Sequence, residues 1–163
     1  MILRATGLGD PDAQELVRRV QAEYVERYGS EDSAPIRLDE FDAPAGAFFV
    51  GYAVLDGAER PVAMGGWRRL DHDALGGRDV AEVKRMYVAP EARRRGYAAA
   101  VLAHLEQTAA AAGVDVLVLE TGERQPEAIG LYEAHGYEPI PGYGHYRDSP
   151  LSRCFARRIG RRS

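Results

Sequence analysis

The sequence predicts a mixed α/β (α+β) sandwich around one sheet. Three observations lead there. Apolar periods of about 2 and about 3.6 residues alternate along the chain, an Asp56-Gly57 step joins two strand-like runs, and a short, continuously apolar run lies between two helical patterns. The order helix, antiparallel strands, helix, strand, helix, strand then gives a mostly antiparallel central sheet flanked by helices. The 163 residues fit one domain, 1–163, long enough for a proper core.

Residues 2–5 suit a short opening strand. Residues 11–28 read as a helix, because Leu16, Val17, Val20, Tyr24 and Val25 share one apolar face and Asp10-Pro11 makes a cap and first turn. Residues 29–42 are polar and punctuated, a loop with a short helical turn. Strands follow at 47–55 and 62–70, joined as a hairpin at Asp56-Gly57 with Pro61 as the boundary. After a polar loop at 71–79 comes a strand at 80–88. In 94–112 the positions Ala98, Val101, Leu102, Leu105, Ala109 and Ala112 repeat at helical spacing, and Gly113 stops that helix. Residues 114–119 form a strand apolar on both faces. Residues 121–124 turn the chain into a helix that starts at Pro126 and ends at Gly136. A Pro/Gly/Tyr loop (139–150) precedes a final strand at 153–159. Arg157, Arg158, Arg161 and Arg162 form a basic tail, read as solvated termini.

The composition, 45% hydrophobic and 28% charged, is that of a soluble globular chain. A net charge of −4 argues against a dedicated nucleic-acid binder. Cys154 is the only cysteine, so no intramolecular disulfide forms, and it is read as a small buried apolar side chain. The opening Met1-Ile2-Leu3-Arg4 meets a polar residue before an apolar core develops, and no apolar run approaches the ~20 residues of a membrane span. A cytoplasmic protein without membrane or nucleic-acid partners is expected.

The chemistry gathers where the 80–88 strand ends. Arg93-Arg94-Arg95-Gly96-Tyr97-Ala98 opens directly into the alanine-rich helix. Unpaired N–H groups and the dipole at a helix N-terminus favour an anion; Gly96 lets the backbone approach it, Ala98 keeps the first turn thin, and the arginines add charge. Read from the residues, this is a pyrophosphate cradle. No Gly-x-x-x-x-Gly-Lys-[Ser/Thr] loop is present, so nucleotide triphosphate hydrolysis has no support.

Residues 93–98 fit the [Arg/Gln]-x-x-Gly-x-[Gly/Ala] signature of the GCN5-related N-acetyltransferases, and Met86-Tyr87-Val88-Ala89-Pro90-Glu91 resembles that family's fourth strand and its exit. Ala128-Ile129-Gly130-Leu131-Tyr132-Glu133-Ala134-His135-Gly136-Tyr137 resembles its second hallmark, a helix with a tyrosine that ends in Gly-aromatic. The resemblance covers 82–137 and implies a sheet splayed between its fourth and fifth strands, with the pantetheine arm of acetyl-CoA in the wedge. It implies an acetyl-CoA-dependent N-acetyltransferase acting by direct transfer in a ternary complex on a small primary amine, without a metal. A protein or peptide acceptor, or a coenzyme-A-binding sensor without turnover, is the alternative. The family often dimerises.

On this reading Arg93, Arg94, Arg95, Gly96, Tyr97 and Ala98 hold the pyrophosphate, and the main chain of Met86, Tyr87 and Val88 pairs with the pantetheine and supplies an oxyanion donor. Tyr132 protonates the departing thiolate, or else only packs its helix on the sheet. Glu82 matches by position the glutamate that takes the amine proton in the histone-type branch, or is a strand-end charge. Glu120, His145 and Tyr146 compete for that role. Acceptor recognition is assigned to Tyr24, Tyr28, Glu40-Phe41, Trp67-Arg68 and residues 142–146. Where the family often has an asparagine before its second helix, this chain has Gln125-Pro126.

Overall fold

The computed structural model describes residues 1–160. The stripe on residues 11–28 forms α1 (Pro11–Tyr28). Asp10 caps it by accepting from the N–H groups of Asp12 and Ala13, and Gly29 ends it at φ 80°. Leu16 and Val20 seat this helix on one face of the sheet, against Phe48, Val50, Met64 and Tyr87. Those residues belong to β2 (Gly46–Leu55), β3 (Ala58–Leu70) and β4 (Val80–Val88). The β2–β3 hairpin turns at Asp56 and Gly57, both with positive φ. β3 starts at Ala58, before the expected Pro61 boundary. The register shifts between Gly51 and Tyr52, beside Pro61, so a residue without an N–H is tolerated there.

The opposite face carries α2 (Tyr97–Ala111) and α3 (Pro126–Ala134). Val101, Leu102, Leu105 and Tyr132 pack there against Trp67, Val83, Leu117 and Phe155. α2 begins later than its periodicity suggests, because Arg94 (φ 65°) and Gly96 (φ 78°) adopt left-handed conformations that a right-handed helix cannot contain. β1 (Ile2–Thr6) edges the sheet beside β2. β5 (Val116–Gly122) pairs with β7 (Ser152–Arg158), which pairs with β6 (Glu138–Ile140). The seven strands lie in the order β1-β2-β3-β4-β5-β7-β6, and only β4 and β5 run parallel. β6 interrupts the expected 139–150 loop; it contains Pro139, which the sheet edge accommodates. Of the basic tail, Arg157 and Arg158 lie in β7, while Arg161 and Arg162 fall outside the described residues. No helix of the described residues is long and apolar enough to cross a membrane.

The expected splay is present. β4 and β5 pair only from Val80↔Val116 to Glu82↔Val118, yet β4 continues to Val88 and β5 to Gly122. Beyond Glu82 the inner edge of β4 has no strand partner among the described residues, so its polar groups there face a wedge. A bulge accompanies the parting. The β3–β4 register passes from Met64↔Tyr87 to Gly66↔Lys84, with an extra residue on β4, and Arg85 adopts φ 59°.

Candidate active site

The wedge opens into a cavity of about 310 Å³. Val83, Lys84, Arg85 and Met86 of β4 line one wall, and Leu119, Glu120, Thr121 and Gly122 of β5 the other. Four consecutive β4 residues reach the same cavity because the bulge breaks the strict up-down alternation of the strand. Tyr132 of α3 forms the floor with Ala128. Tyr24 and Tyr28 of α1, Ser30 to Asp32, and Tyr146, Ser149, Leu151 and Ser152 close the outer side. Gly122 makes room for this closure: a Cβ there would lie 1.7 Å from the Tyr28 hydroxyl oxygen.

At the 93–98 turn, the main-chain N–H groups of residues 94–99 donate to no acceptor among the described residues; the first helical bond runs from Ala100 to the Gly96 carbonyl. A Cβ at Gly96 would meet nothing within 4 Å, so the surface above the turn is open. Such an array of free donors at a helix start fits a pyrophosphate. The arginines differ in their freedom. Arg93 is engaged, donating through Nε to the Val88 carbonyl (3.0 Å) and through Nη2 to Glu23 (2.6 Å), so it fastens the turn to β4 and α1. Arg94 and Arg95 are exposed. Met86 lines the cavity, whereas the Tyr87 side chain is buried against α1.

Tyr132 is 6% exposed, and burial pushes its phenol well above the usual value. It packs beside Tyr137 and Phe155, and its hydroxyl makes no hydrogen bond to the described residues.

The two carboxylates differ. Glu82 is 5% exposed and is not among the lining residues. Its Oε1 accepts from Arg68 Nε and Nη2 (3.2 and 3.0 Å), and its Oε2 accepts from the Tyr143 hydroxyl (2.8 Å). Glu120 is half-buried in the β5 wall. Burial raises its carboxyl pKa; Lys84 and Ser152 pull the other way, and Glu82 and Asp32 add to the rise. Cys154 approaches Glu120 Oε2 at 3.9 Å, outside the lining, and burial pushes its thiol up.

Other expectations separate similarly. Tyr24, Tyr28 and Tyr146 do line the cavity. Phe41 is core, Trp67 donates to Thr108 under α2 (3.1 Å), and Arg68 links Glu40 and Glu82. His145 lies 3.3 Å from Ser33 on the outer loops. Sequence reading missed Asp32, Lys84 and Arg85 as site residues. The available signal was Lys84-Arg85 itself, two adjacent cations in a strand whose only other charged residue is Glu82. Asp32 Oδ1 accepts from the Tyr146 hydroxyl (2.9 Å) and the Ala34 N–H (3.0 Å), tying the two outer loops together. Burial alone would raise its pKa; Lys84, those two hydrogen bonds and Arg85 outweigh this and hold it below the usual value.

Known proteins share this architecture. Residues 13–137 match the profile of the acetyltransferase (GNAT) family. An IAA acetyltransferase of Azospirillum brasilense is 32% identical over 151 residues, covering 93% of this chain and 92% of the relative. Among solved structures, a ribosomal-protein-alanine N-acetyltransferase from Brucella melitensis has a TM-score of 0.69 at 18% identity, covering 98% of this chain and 100% of that one. A GNAT family acetyltransferase from Elizabethkingia anophelis with acetyl-CoA bound has a TM-score of 0.64 at 13% identity, covering 97% of each chain. At such identities the structures establish likeness of fold.

Proposed function

Since the chain belongs to the acetyltransferase (GNAT) family, we propose that it transfers the acetyl group of acetyl-CoA directly to the primary amine of a small molecule within a ternary complex. The observation that carries this reading is the cavity between the parted strands, which joins a β4 edge without a strand partner among the described residues to a carboxylate in the opposite wall and a phenol in the floor. The acetyl-CoA bound in the Elizabethkingia anophelis relative supports the choice of donor. The free N–H groups of residues 94–99 hold the pyrophosphate, with Arg94 and Arg95 adding charge, and the inner edge of β4 from Met86 to Val88 holds the pantetheine amides. Bound there, acetyl-CoA supplies an activated acyl thioester. Its position, fixed between two strands, is the main source of rate.

An amine acceptor with a pKa of about 10 is mostly protonated near neutral pH, so a base is needed. We assign this role to Glu120 rather than Glu82. Glu120 lines the cavity with a raised pKa, whereas both Glu82 oxygens are engaged by Arg68 and Tyr143. Tyr132 gives its proton to the departing thiolate. In water, transfer from a phenol (pKa about 10) to a thiolate (about 8.5, by analogy with cysteine) is uphill. Burial raises both pKa values, so the proton transfer is uphill taken alone and proceeds because it is coupled to C–S cleavage and amide formation. Cys154 stands outside the lining with a raised thiol pKa, which supports direct transfer over an acetyl-cysteine route. Closure of the outer side by α1 and two loops supports a small acceptor over a folded protein.

The test is thiol release from acetyl-CoA across panels of amines, amino acids and peptides. Turnover with small amines is expected; release with none of them removes the enzyme reading. With an accepted amine, Glu120→Gln should depress kcat/KM by about 10²-fold near neutral pH, the deficit shrinking as pH approaches the amine's own pKa. Glu82→Gln should instead lower stability, by about 1–3 kcal/mol, through its bonds to Arg68 and Tyr143. A pH-dependent deficit in Glu82→Gln and none in Glu120→Gln would reverse the assignment.

A further inference from the structure

The Arg85 side chain lies in the cavity wall and is only 9% exposed, yet its Nε and Nη1 have no hydrogen-bond partner among the described residues. Its nearest carboxylate, Asp32 Oδ2, stands 3.5 Å from Nη1, and Asp32 Oδ1 is already occupied by Tyr146 and Ala34. A buried guanidinium with unmet donors is costly unless something completes it. Lys84 beside it puts a second cation in the same wall, and Glu120 stands in the wall opposite. The cavity thus offers a carboxylate for an amine and cations for an anion.

We propose that the acceptor is a zwitterion, a small free amino acid, whose carboxylate is held by Lys84 and by Arg85, its guanidinium turned toward the cavity, while its amine faces Glu120. This rests on the acetyltransferase reading above. A planar guanidinium matches a carboxylate or a phosphate. The carboxylate is favoured because Glu31, Asp32 and Glu120 also line the cavity, and they repel a dianion more strongly than a monoanion.

The experiment compares kcat/KM for free amino acids, their C-terminal amides and an aminoalkyl phosphate, in wild type and Arg85→Gln. The wild type should favour acid over amide by about tenfold to hundredfold. In Arg85→Gln that ratio should fall to within about threefold of unity, with Arg85→Lys intermediate. Dividing the wild-type ratio by the variant ratio cancels the different amine pKa values of acid and amide. Amides turned over as well as acids, or a ratio unmoved by Arg85→Gln, overturns the proposal while leaving the acetyltransferase reading intact. Preference for the phosphate overturns the carboxylate assignment. Failure to acetylate any amine overturns the function on which the proposal rests. With each kcat/KM expressed per free amine, the wild-type ratio decides even where the variant does not fold.

Discussion

Around the 93–98 turn the groups offered to a ligand are main-chain N–H groups, whereas across the cavity, from Tyr24 to Tyr146, they are side chains. The first set depends on dihedral angles: Arg94 at φ 65° and Gly96 at φ 78° delay α2 and leave its first donors free. The second depends on which side chains several distant segments bring together. Asp32, Lys84, Arg85, Glu120 and Tyr146 come from two loops and two strands. A main-chain site can recur on many sequences and recognise one shared donor. A side-chain site changes with each substitution and can select an acceptor.

Tyr132 lines the cavity floor, and its replacement is the most severe probe. Tyr132→Phe keeps the packing against Tyr137 and Phe155 and removes only a hydroxyl without a protein partner among the described residues. We expect kcat to fall about 10²–10⁴-fold while the rise in Tm produced by acetyl-CoA is retained. A loss of less than about threefold in a chemistry-limited assay would hand the proton to another group.

A pair of variants at Gly96 tests whether the donor half is a matter of backbone and field. Asn and Asp share a shape, tolerate left-handed φ, and meet no neighbour within 4 Å at the Cβ. Gly96→Asp should weaken acetyl-CoA binding by about tenfold to hundredfold through its charge, and Gly96→Asn by about threefold or less. Isothermal titration measures both. Equal losses would make backbone conformation the whole effect, and no loss in either would move the donor away from this turn.

The smallest effect concerns the acceptor half. Burial raises the folded-state pKa of Glu120 above its unfolded value. The associated stability is therefore fully present below the unfolded pKa, about 4.3, and is lost as pH rises through the folded value. Ionised Glu120 is then a net cost at neutral pH. Glu120→Gln should raise Tm by about 1–3 °C at pH 7 and give no gain near pH 3.5. A lower Tm at neutral pH, read by calorimetry, would mean that attraction to Lys84 outweighs burial, and the contrast between the halves would narrow.

The legible parts of the fold were those with local causes. Asp10-Pro11 with its apolar stripe marked α1, and Asp56-Gly57 marked the hairpin. The boundaries that moved did so for non-local reasons: β6 forms because β7 offers it an edge, and β3 starts early because a register shift accommodates Pro61. The site divides likewise. The Arg93 to Ala98 turn and Tyr132 were readable as contiguous patterns. The different surroundings of Glu82 and Glu120 were not, because Arg68 and Tyr143 reach Glu82 from 14 and 61 residues away.

By itself, then, the sequence determined the order and type of the elements other than β6, the turn that opens α2 and the family, since each is written in neighbouring residues through dihedral preference and apolar period. Only the tertiary structure decided how far β4 and β5 stay paired and which carboxylate faces the opening. It also left Arg85 buried without a full set of partners among the described residues. Those outcomes depend on where strands diverge and which loops close over them, and such long-range geometry leaves no periodic trace in the chain.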